Sequence, residues 1–458
     1  MTRRRALLLG SLTAPTAGIR AYAALPAQDT IRAILRERVE IGRQSTGIVA
    51  MAIDKTEQRL VTFGRPDTPD ERPLDGDTVF EIGSITKVLT ALLLADMVTR
   101  GEVMMSDPLG KYLPASVKVP DFRGTPITLL DLATYTSGLP RWPDNVWIPD
   151  SPTPYADYTV DQLYAALSAH TLRYEPGTHY EYTNWGFALL GHALANRVGL
   201  SYEDLMIERI CQPLGLRSTR ITLTPEMRSR MAQGHNSSLE PTPLWDLPAF
   251  AGAGAVRSTA NDLLVILEAC LGKRNTPLDP ALALLLATRR PTGMAGVEVG
   301  LGWFILSFHG DEIVWKDGET GGFATFIGFS PGRDQGAQVL TNAGNWSGMK
   351  EIGMHLIDET YPLVRQRQQM AVDPMVLAGY TGTYFLSPSL AITVRARGSR
   401  LFAQATNQRE FEAFASSNSE FFLRVVDAQI TFEPVGEGKT FVLILHQNGR
   451  DQRGQRRE

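Results

Sequence analysis

Cysteine is nearly absent: Cys211 and Cys270 are the only two in 458 residues. Two thiols are too few for a disulfide-dense scaffold, a structural zinc site or a metal cluster, and spacing alone leaves their pairing open. A basic excess is missing as well. Lys and Arg total 45 against 49 Asp and Glu, a net charge of −4. The cationic surplus that a phosphate backbone selects is not there, so nucleic acid is not an expected partner. The seven histidines show neither H-E-x-x-H nor a paired metal-ligand spacing. No G-x-S-x-G elbow occurs, and Gly252-Ala253-Gly254 lacks the third glycine and the ribose carboxylate of a dinucleotide site. No run approaches the roughly 20 apolar residues that a membrane span requires. What remains is ample, because 43% hydrophobic and 21% charged residues over this length can fill a sizeable core and more than one domain.

Residues 1–23 read as an address rather than as structure. Thr2-Arg3-Arg4-Arg5 precedes the apolar Ala6-Leu7-Leu8-Leu9, and the small-residue site Ala21-Tyr22-Ala23 follows. The arginine pair points to a twin-arginine signal peptide. Cleavage after Ala23 removes Arg3, Arg4, Arg5 and Arg20 and no acidic residue, taking the net charge from −4 to −8. The expectation is a soluble periplasmic or secreted protein with no membrane span in its mature form.

Ile31, Ile34, Leu35, Val39 and Ile41 recur at helical spacing over 29–41, and 46–63 reads as two strands around Asp54-Lys55. Over 85–100, Val88, Leu89, Leu92, Leu93 and Met97 mark a buried helix free of Gly and Pro, which Gly101 stops. Helical segments follow at 160–169, 185–198 and 260–271, and strand character returns at 314–315, 324–329 and 337–341. Strands at both ends with helices between predict one α+β sheet assembled from distant segments, a domain over 24–365. A polar linker follows at 366–373. Short alternating runs at 391–394, 400–403, 420–423 and 441–445, separated by glycine turns, predict a small antiparallel barrel or sandwich over 374–450. Residues 451–458 read as a polar tail.

The chemistry gathers at three places. Phe80-Glu81-Ile82-Gly83-Ser84-Ile85-Thr86-Lys87 opens the first long helix and sets Ser84 and Lys87 three residues apart, on one face. A hydroxyl is a poor nucleophile at neutral pH unless a base takes its proton, and a partly desolvated lysine can be that base. The unpaired amides of the first turn can stabilise an oxyanion near Ser84. Alone, the tetrapeptide reads more readily as a serine cap beside a surface lysine. Farther on, Tyr182 and Asn184 bracket one residue of a loop ahead of a helical run, so a phenol and a carboxamide can face one cleft. By themselves they read more readily as a buried tyrosine and a helix cap. Third, Trp315-Lys316-Asp317-Gly318-Glu319 is a strand edge with a cation, and the glycines there and at Gly321-Gly322 allow close backbone approach to a ligand.

Ser84-Ile85-Thr86-Lys87, Tyr182-Thr183-Asn184 and Lys316-Asp317-Gly318 resemble, in order and rough separation, the three motifs of serine β-lactamases and penicillin-binding proteins. The resemblance is closest to class C β-lactamases and periplasmic D-alanyl carboxypeptidase/endopeptidases. It extends over about 30–360 through the blocks 124–130, 136–140, 175–178, 213–216 and 254–259. The C-terminal module resembles the lipocalin-like barrels appended to some members. The implied fold is a β-lactamase/transpeptidase-like α+β domain, an antiparallel sheet flanked by helices plus a helical subdomain, followed by a small all-β barrel.

The resemblance implies catalysis without metal or cofactor. Ser84 would be the nucleophile, Lys87 its proton acceptor and Tyr182 the acid/base partner of the leaving group. Asn184 would orient the acyl-side amide, Lys316 would support Tyr182, and the backbone N–H groups of Ser84 and Glu319, beside Gly318, would form the oxyanion hole. The expected substrates are small amides or esters, or cell-wall peptides: a β-lactam, a D-amino-acid peptide or amide, or an ester. Members that bind a substrate carboxylate usually carry Lys-Thr-Gly, whereas Asp317 stands at the Thr position here and Glu319 follows Gly318. Two carboxylates there would repel an anionic group unless Asp317 pairs with Lys316 or points to solvent, so a substrate neutral or amine-bearing at that end is expected. The alternative function is a penicillin-binding sensor that acylates without turnover. The barrel would then report the event, or else cover the cleft or mediate oligomerisation. Trp142 and Trp245 are candidate cleft walls, and His179 beside the tyrosine loop is a wall residue rather than a base.

Overall fold

A computed structural model describes residues 24–146, 151–344, 348–364, 366–406, 408–436, 440–447 and 449–457. The expected signal peptide, 1–23, lies outside them. The first domain is built on an eight-stranded sheet. Its strands are β1 (Gly47–Ile53), β2 (Gln58–Gly64), β3 (Arg290–Pro291), β4 (Val297–Val299), β5 (Phe304–Phe308), β6 (Asp311–Glu319), β7 (Ala324–Ser330) and β8 (Gln335–Thr341). They lie in the order β2-β1-β8-β7-β6-β5-β4-β3, every neighbour antiparallel. Chain-distant β1 and β8 are thus zipped together in the middle.

All seven residues of β1, β7 and β8 are buried. A strand hidden on both faces reads as a near-continuous apolar run, as Ile48-Val49-Ala50-Met51-Ala52-Ile53 does. Among the helices, α1 (Gln28–Arg36) covers β2, while α4 (Ala260–Cys270) and α5 (Met349–Ile357) cover the central strands. The helix expected over 29–41 is α-helical only to Arg36. It continues as a π-helical turn, Glu37–Ile41, in which buried Arg38 meets Glu351 at 2.6 Å.

Beside the sheet, α2 (Thr86–Thr99) is buried from Thr86 to Met97, the state expected of a helix apolar on every side. It packs against α3 (Asn184–Val198) and forms the axis of the helical part. Among the described residues no helix is long and apolar enough to cross a membrane.

The second domain begins with a short helix, Pro374–Gly379, capped by Asp373. Eight strands follow: β9 (Gly382–Ser387), β10 (Leu390–Arg397), β11 (Arg400–Ala405), β12 (Glu410–Ala415), β13 (Glu420–Leu423), β14 (Ala428–Val435), β15 (Thr440–Gln447) and β16 (Arg450–Arg457). Each pairs with the next, and β16 returns to β9 to close the barrel. The polar tail expected over 451–458 is therefore wrong: 450–457 is the closing strand. It pairs on both sides, so its backbone is satisfied, and the residue it buries is Gly454, against Leu386 and Tyr384. No apolar alternation marks such a strand. The two domains keep separate cores, one running from Leu25 to Ile357 and one from Val372 to Leu445.

Candidate active site

Ser84 stands in a 3₁₀ turn, Gly83–Ile85, directly before α2. Gly83 has φ +50°, and a Cβ there would fall 2.6 Å from the backbone N of Glu319. Gly318 likewise has no room for a side chain, because its Cβ would collide with the Ile82 carbonyl. These two glycines let the end of β6 press against the serine turn, which places the Glu319 amide beside Ser84. Strand β6 pairs with β5 only as far as Trp315, so from Lys316 to Glu319 it bonds to β7 alone and its other edge is open.

Two side chains converge on the Ser84 hydroxyl, and a third stands behind one of them. Lys87 Nζ lies 2.9 Å from Ser84 Oγ, 2.8 Å from Asn184 Oδ1 and 2.6 Å from the Ala253 carbonyl. Tyr182 OH lies 2.8 Å from Ser84 Oγ, and Lys316 Nζ stands 3.4 Å from that phenol. Burial of Lys87, with the nearby Lys316 and Arg141 cations adding to it against the opposing influence of Tyr182, pushes its pKa down to about 8. Burial and Arg141 bring Lys316 to about 8 as well, against the opposing pull of Asp317. A neutral Lys87 has two N–H bonds, enough for Asn184 and Ala253, which leaves its lone pair for the Ser84 proton.

Asn184 is not on a loop, as expected, but is the first residue of α3. Thr183 caps that helix, accepting from Gly186 N at 2.9 Å and donating to the Pro140 carbonyl at 2.8 Å. Asn184 and Trp185 both donate their backbone N–H to the Arg141 carbonyl, which fixes Arg141 at the rim. Its guanidinium stands 5.6 Å from the Tyr182 ring centroid. Sequence reasoning missed Arg141; its one signal is the position directly after the Thr136–Pro140 block.

Asp317 does not simply face solvent. Its side chain is 14% exposed, and its carboxylate lies 3.9 Å from Lys316 Nζ. Glu319 is exposed to the cavity, where enclosure by the surrounding protein, with Asp317 adding to it and Arg141 opposing, raises its carboxyl to about 7. Trp142 and Trp245 both line that cavity, as expected of cleft walls. Trp245 is pinned through its backbone: its N–H donates to Glu81 and its carbonyl accepts from Arg257, which itself pairs with Glu81 at 3.1 Å. His179 stacks on Tyr174, centroids 4.0 Å apart, and lines no part of the cavity. Cys211 and Cys270 are free thiols, and burial pushes both up to about 12.

Residues 31–360 match the Beta-lactamase family. The chain belongs to that family. Residues 366–456 match a domain of unknown function, DUF3471, over the span of the barrel. The chain is 30% identical over 325 residues to the D-alanyl-D-alanine-carboxypeptidase/endopeptidase AmpH of Escherichia coli K12, covering 66% of this chain and 81% of that protein. Among solved structures it resembles a class C β-lactamase from Rhodobacter sphaeroides, with a TM-score of 0.59 and 26% identity over 69% of this chain and 94% of that one. A β-lactamase/D-alanine carboxypeptidase from Pseudomonas syringae shares the fold, with a TM-score of 0.63 at 24% identity, over 74% of this chain and 100% of that one. The β-lactamase-like fold is thus confined to the first domain, and the barrel is an addition to it.

Proposed function

We propose that the protein is an exported serine hydrolase that cleaves a small amide or ester through an acyl-enzyme on Ser84. The observation that carries this is the convergence of Lys87 Nζ and Tyr182 OH on one hydroxyl, at 2.9 and 2.8 Å. Neutral Lys87 takes the Ser84 proton as Oγ attacks the carbonyl carbon. The N–H groups of Ser84 and Glu319 hold the oxyanion. Tyr182, supported by Lys316, passes a proton to the departing amine or alcohol, and water then releases the acid and restores the serine. Asn184 gives its oxygen to Lys87, and its Nδ2 has no protein partner among the described residues, so it can donate to an acyl-side carbonyl.

A panel of nitrocefin, D-alanyl amides and short nitrophenyl esters tests this, with intact-mass spectrometry reporting the adduct. Turnover and adduct should both vanish in Ser84→Ala; unchanged turnover in that variant sinks the reading. A stoichiometric burst without turnover would identify an acylated sensor instead.

At the leaving-group end the substrate is neutral or carries an amine. Asp317 occupies the place where an anion would otherwise be met by a hydroxyl, and its carboxylate, 3.9 Å from Lys316 Nζ, takes up charge that Lys316 would offer to an anion. Replacing Asp317→Thr should raise kcat/KM for a cephalosporin relative to an uncharged D-amino-acid amide. A variant that gains nothing on the anionic substrate contradicts this role of Asp317.

A further inference from the structure

The cavity above Ser84 does not end at the hydrolase domain. It measures about 870 Å³ and runs from Ser84, Asn184 and Trp245 into one end of the barrel. There its inner walls are Ile392, Ala403, Ala405, Ala428, Ile430 and Leu445, with Gln408, Arg409, Glu410 and Gln447 nearer the mouth. Ile392 sits opposite Ala405, and Ile430 opposite Leu445, so these side chains share the lumen. Three of the six are alanine and leave space that a longer side chain would fill. The far end is plugged by aromatic rings: Tyr380 stacks on Phe432 at 4.1 Å and meets Phe441 at 4.7 Å. Between the two ends Tyr384, Leu401, Phe421 and Leu443 fill the barrel's core, so its near end is an apolar pit whose mouth opens onto the cavity above the nucleophile.

The rim is polar and tied across the domains. Arg400 bridges Glu240 at 2.9 Å and Glu412 at 2.6 Å, and Ser238 donates to Glu412 at 2.5 Å. A charged group pushed past this rim would lose its hydration among aliphatic walls, whereas an apolar one gains by leaving water.

The cavity also has a direction. Tyr182 and Lys316 do not line it, although Ser84 and Asn184 do. The leaving atom must face Tyr182 to receive a proton, so it departs away from the cavity, and the acyl group extends into it.

We propose that the barrel lumen is the acyl-chain subsite and that the substrate is an ester or amide of an aliphatic acid whose chain lies within the barrel. This rests on the acyl-enzyme reading above. The Ser84 Oγ–acyl bond forms as the bond to the leaving alcohol or amine breaks, the leaving group taking its proton from Tyr182. Water then cleaves the acyl-serine to the free acid and the serine hydroxyl.

The test uses the full chain and nitrophenyl acetate, butyrate and octanoate. With the lumen as subsite, kcat/KM rises roughly threefold to fourfold per added methylene until the pit is full. Ala428→Trp or Ala405→Phe should lower the octanoate-to-acetate ratio at least tenfold. Decanoate should bind Ser84→Ala at one site per chain, and Ala428→Trp in that background should abolish this. A flat chain-length series with measurable acetate turnover overturns the subsite and leaves the acyl-enzyme intact. Absence of any ester adduct on Ser84 overturns the acyl-enzyme, and decanoate binding then still decides the lumen. Where the filled-lumen variants fail to fold, the wild-type series alone decides.

Discussion

Lys87 can act as a base near neutrality because the protein withholds water from it and sets other cations nearby. With its pKa at about 8, roughly one Lys87 in eleven is neutral at pH 7, against fewer than about one in a thousand for an ordinary lysine. Lys316, also at about 8, must keep its proton to support Tyr182. Activity therefore gains from the loss of the first proton and suffers from loss of the second, and kcat/KM should peak close to pH 8. Arg141 lowers both lysines, so Arg141→Met should move the rising and falling limbs together to higher pH, read from a pH–rate profile on an uncharged ester. Glu319 tests the same cavity through stability. Its folded pKa is raised to about 7 from 4.5, so the folded chain holds the proton more tightly than the unfolded one. Its contribution to folding is full below the unfolded value and is lost as pH rises through about 7. Glu319→Gln escapes that loss, and its Tm advantage over the wild type should widen between pH 5 and pH 8 in calorimetry. Ser84 and Lys87 are legible in the sequence because they stand three residues apart on one helical face, and Lys316 only through the resemblance that its motif carries. Arg141 is not, since it reaches the site through a carbonyl that anchors the start of α3.

Elements carry the site as much as side chains do. The serine turn and the end of β6 lie 234 residues apart at Ser84 and Gly318, and they meet only because Gly83 and Gly318 have no Cβ. Gly83→Ala pays twice: φ +50° disfavours an L-residue, and its methyl lands against the Glu319 amide that would bind the oxyanion. The expected result is a fall in kcat of about a hundredfold or more with little change in KM, measured by steady-state kinetics. A loss confined to KM would place the damage in binding instead. Helix α2 was readable from its unbroken apolar run, and the paired strands β7 and β8 from theirs. The start of α3 was not, because Tyr182-Thr183-Asn184 looks like loop until Thr183 is seen to cap the helix. Strand β16 was hidden for a different reason. Among its described residues only Gly454 is buried, so hydrogen bonding, not apolar burial, makes it a strand.

At the scale of the whole molecule, two domains could be told apart from composition, but not how they meet. Glu240 and Arg400 are 160 residues apart, and no spacing announces that they will form a seam. That seam lies at the rim where the barrel's open end meets the cavity above Ser84. Arg400 stands between two carboxylates, and reversing it to Glu sets three negative groups together at one rim. An exposed pair is worth only about 0.2–1 kcal/mol, but crowding three like charges replaces attraction by repulsion across the same contact. Arg400→Glu should therefore leave each domain's core folded and loosen the docking. Two consequences follow from a loosened barrel. Limited proteolysis within 366–373 should quicken several-fold, because that segment joins the two cores. The preference for octanoate over acetate should shrink as well, because an aliphatic chain gains nothing from a pit no longer aligned with the nucleophile. Added salt screens the repulsion, with a Debye length of about 8 Å at physiological ionic strength. Raising the salt should thus restore part of the chain-length preference in Arg400→Glu, whereas a variant that had merely lost its barrel fold would not recover.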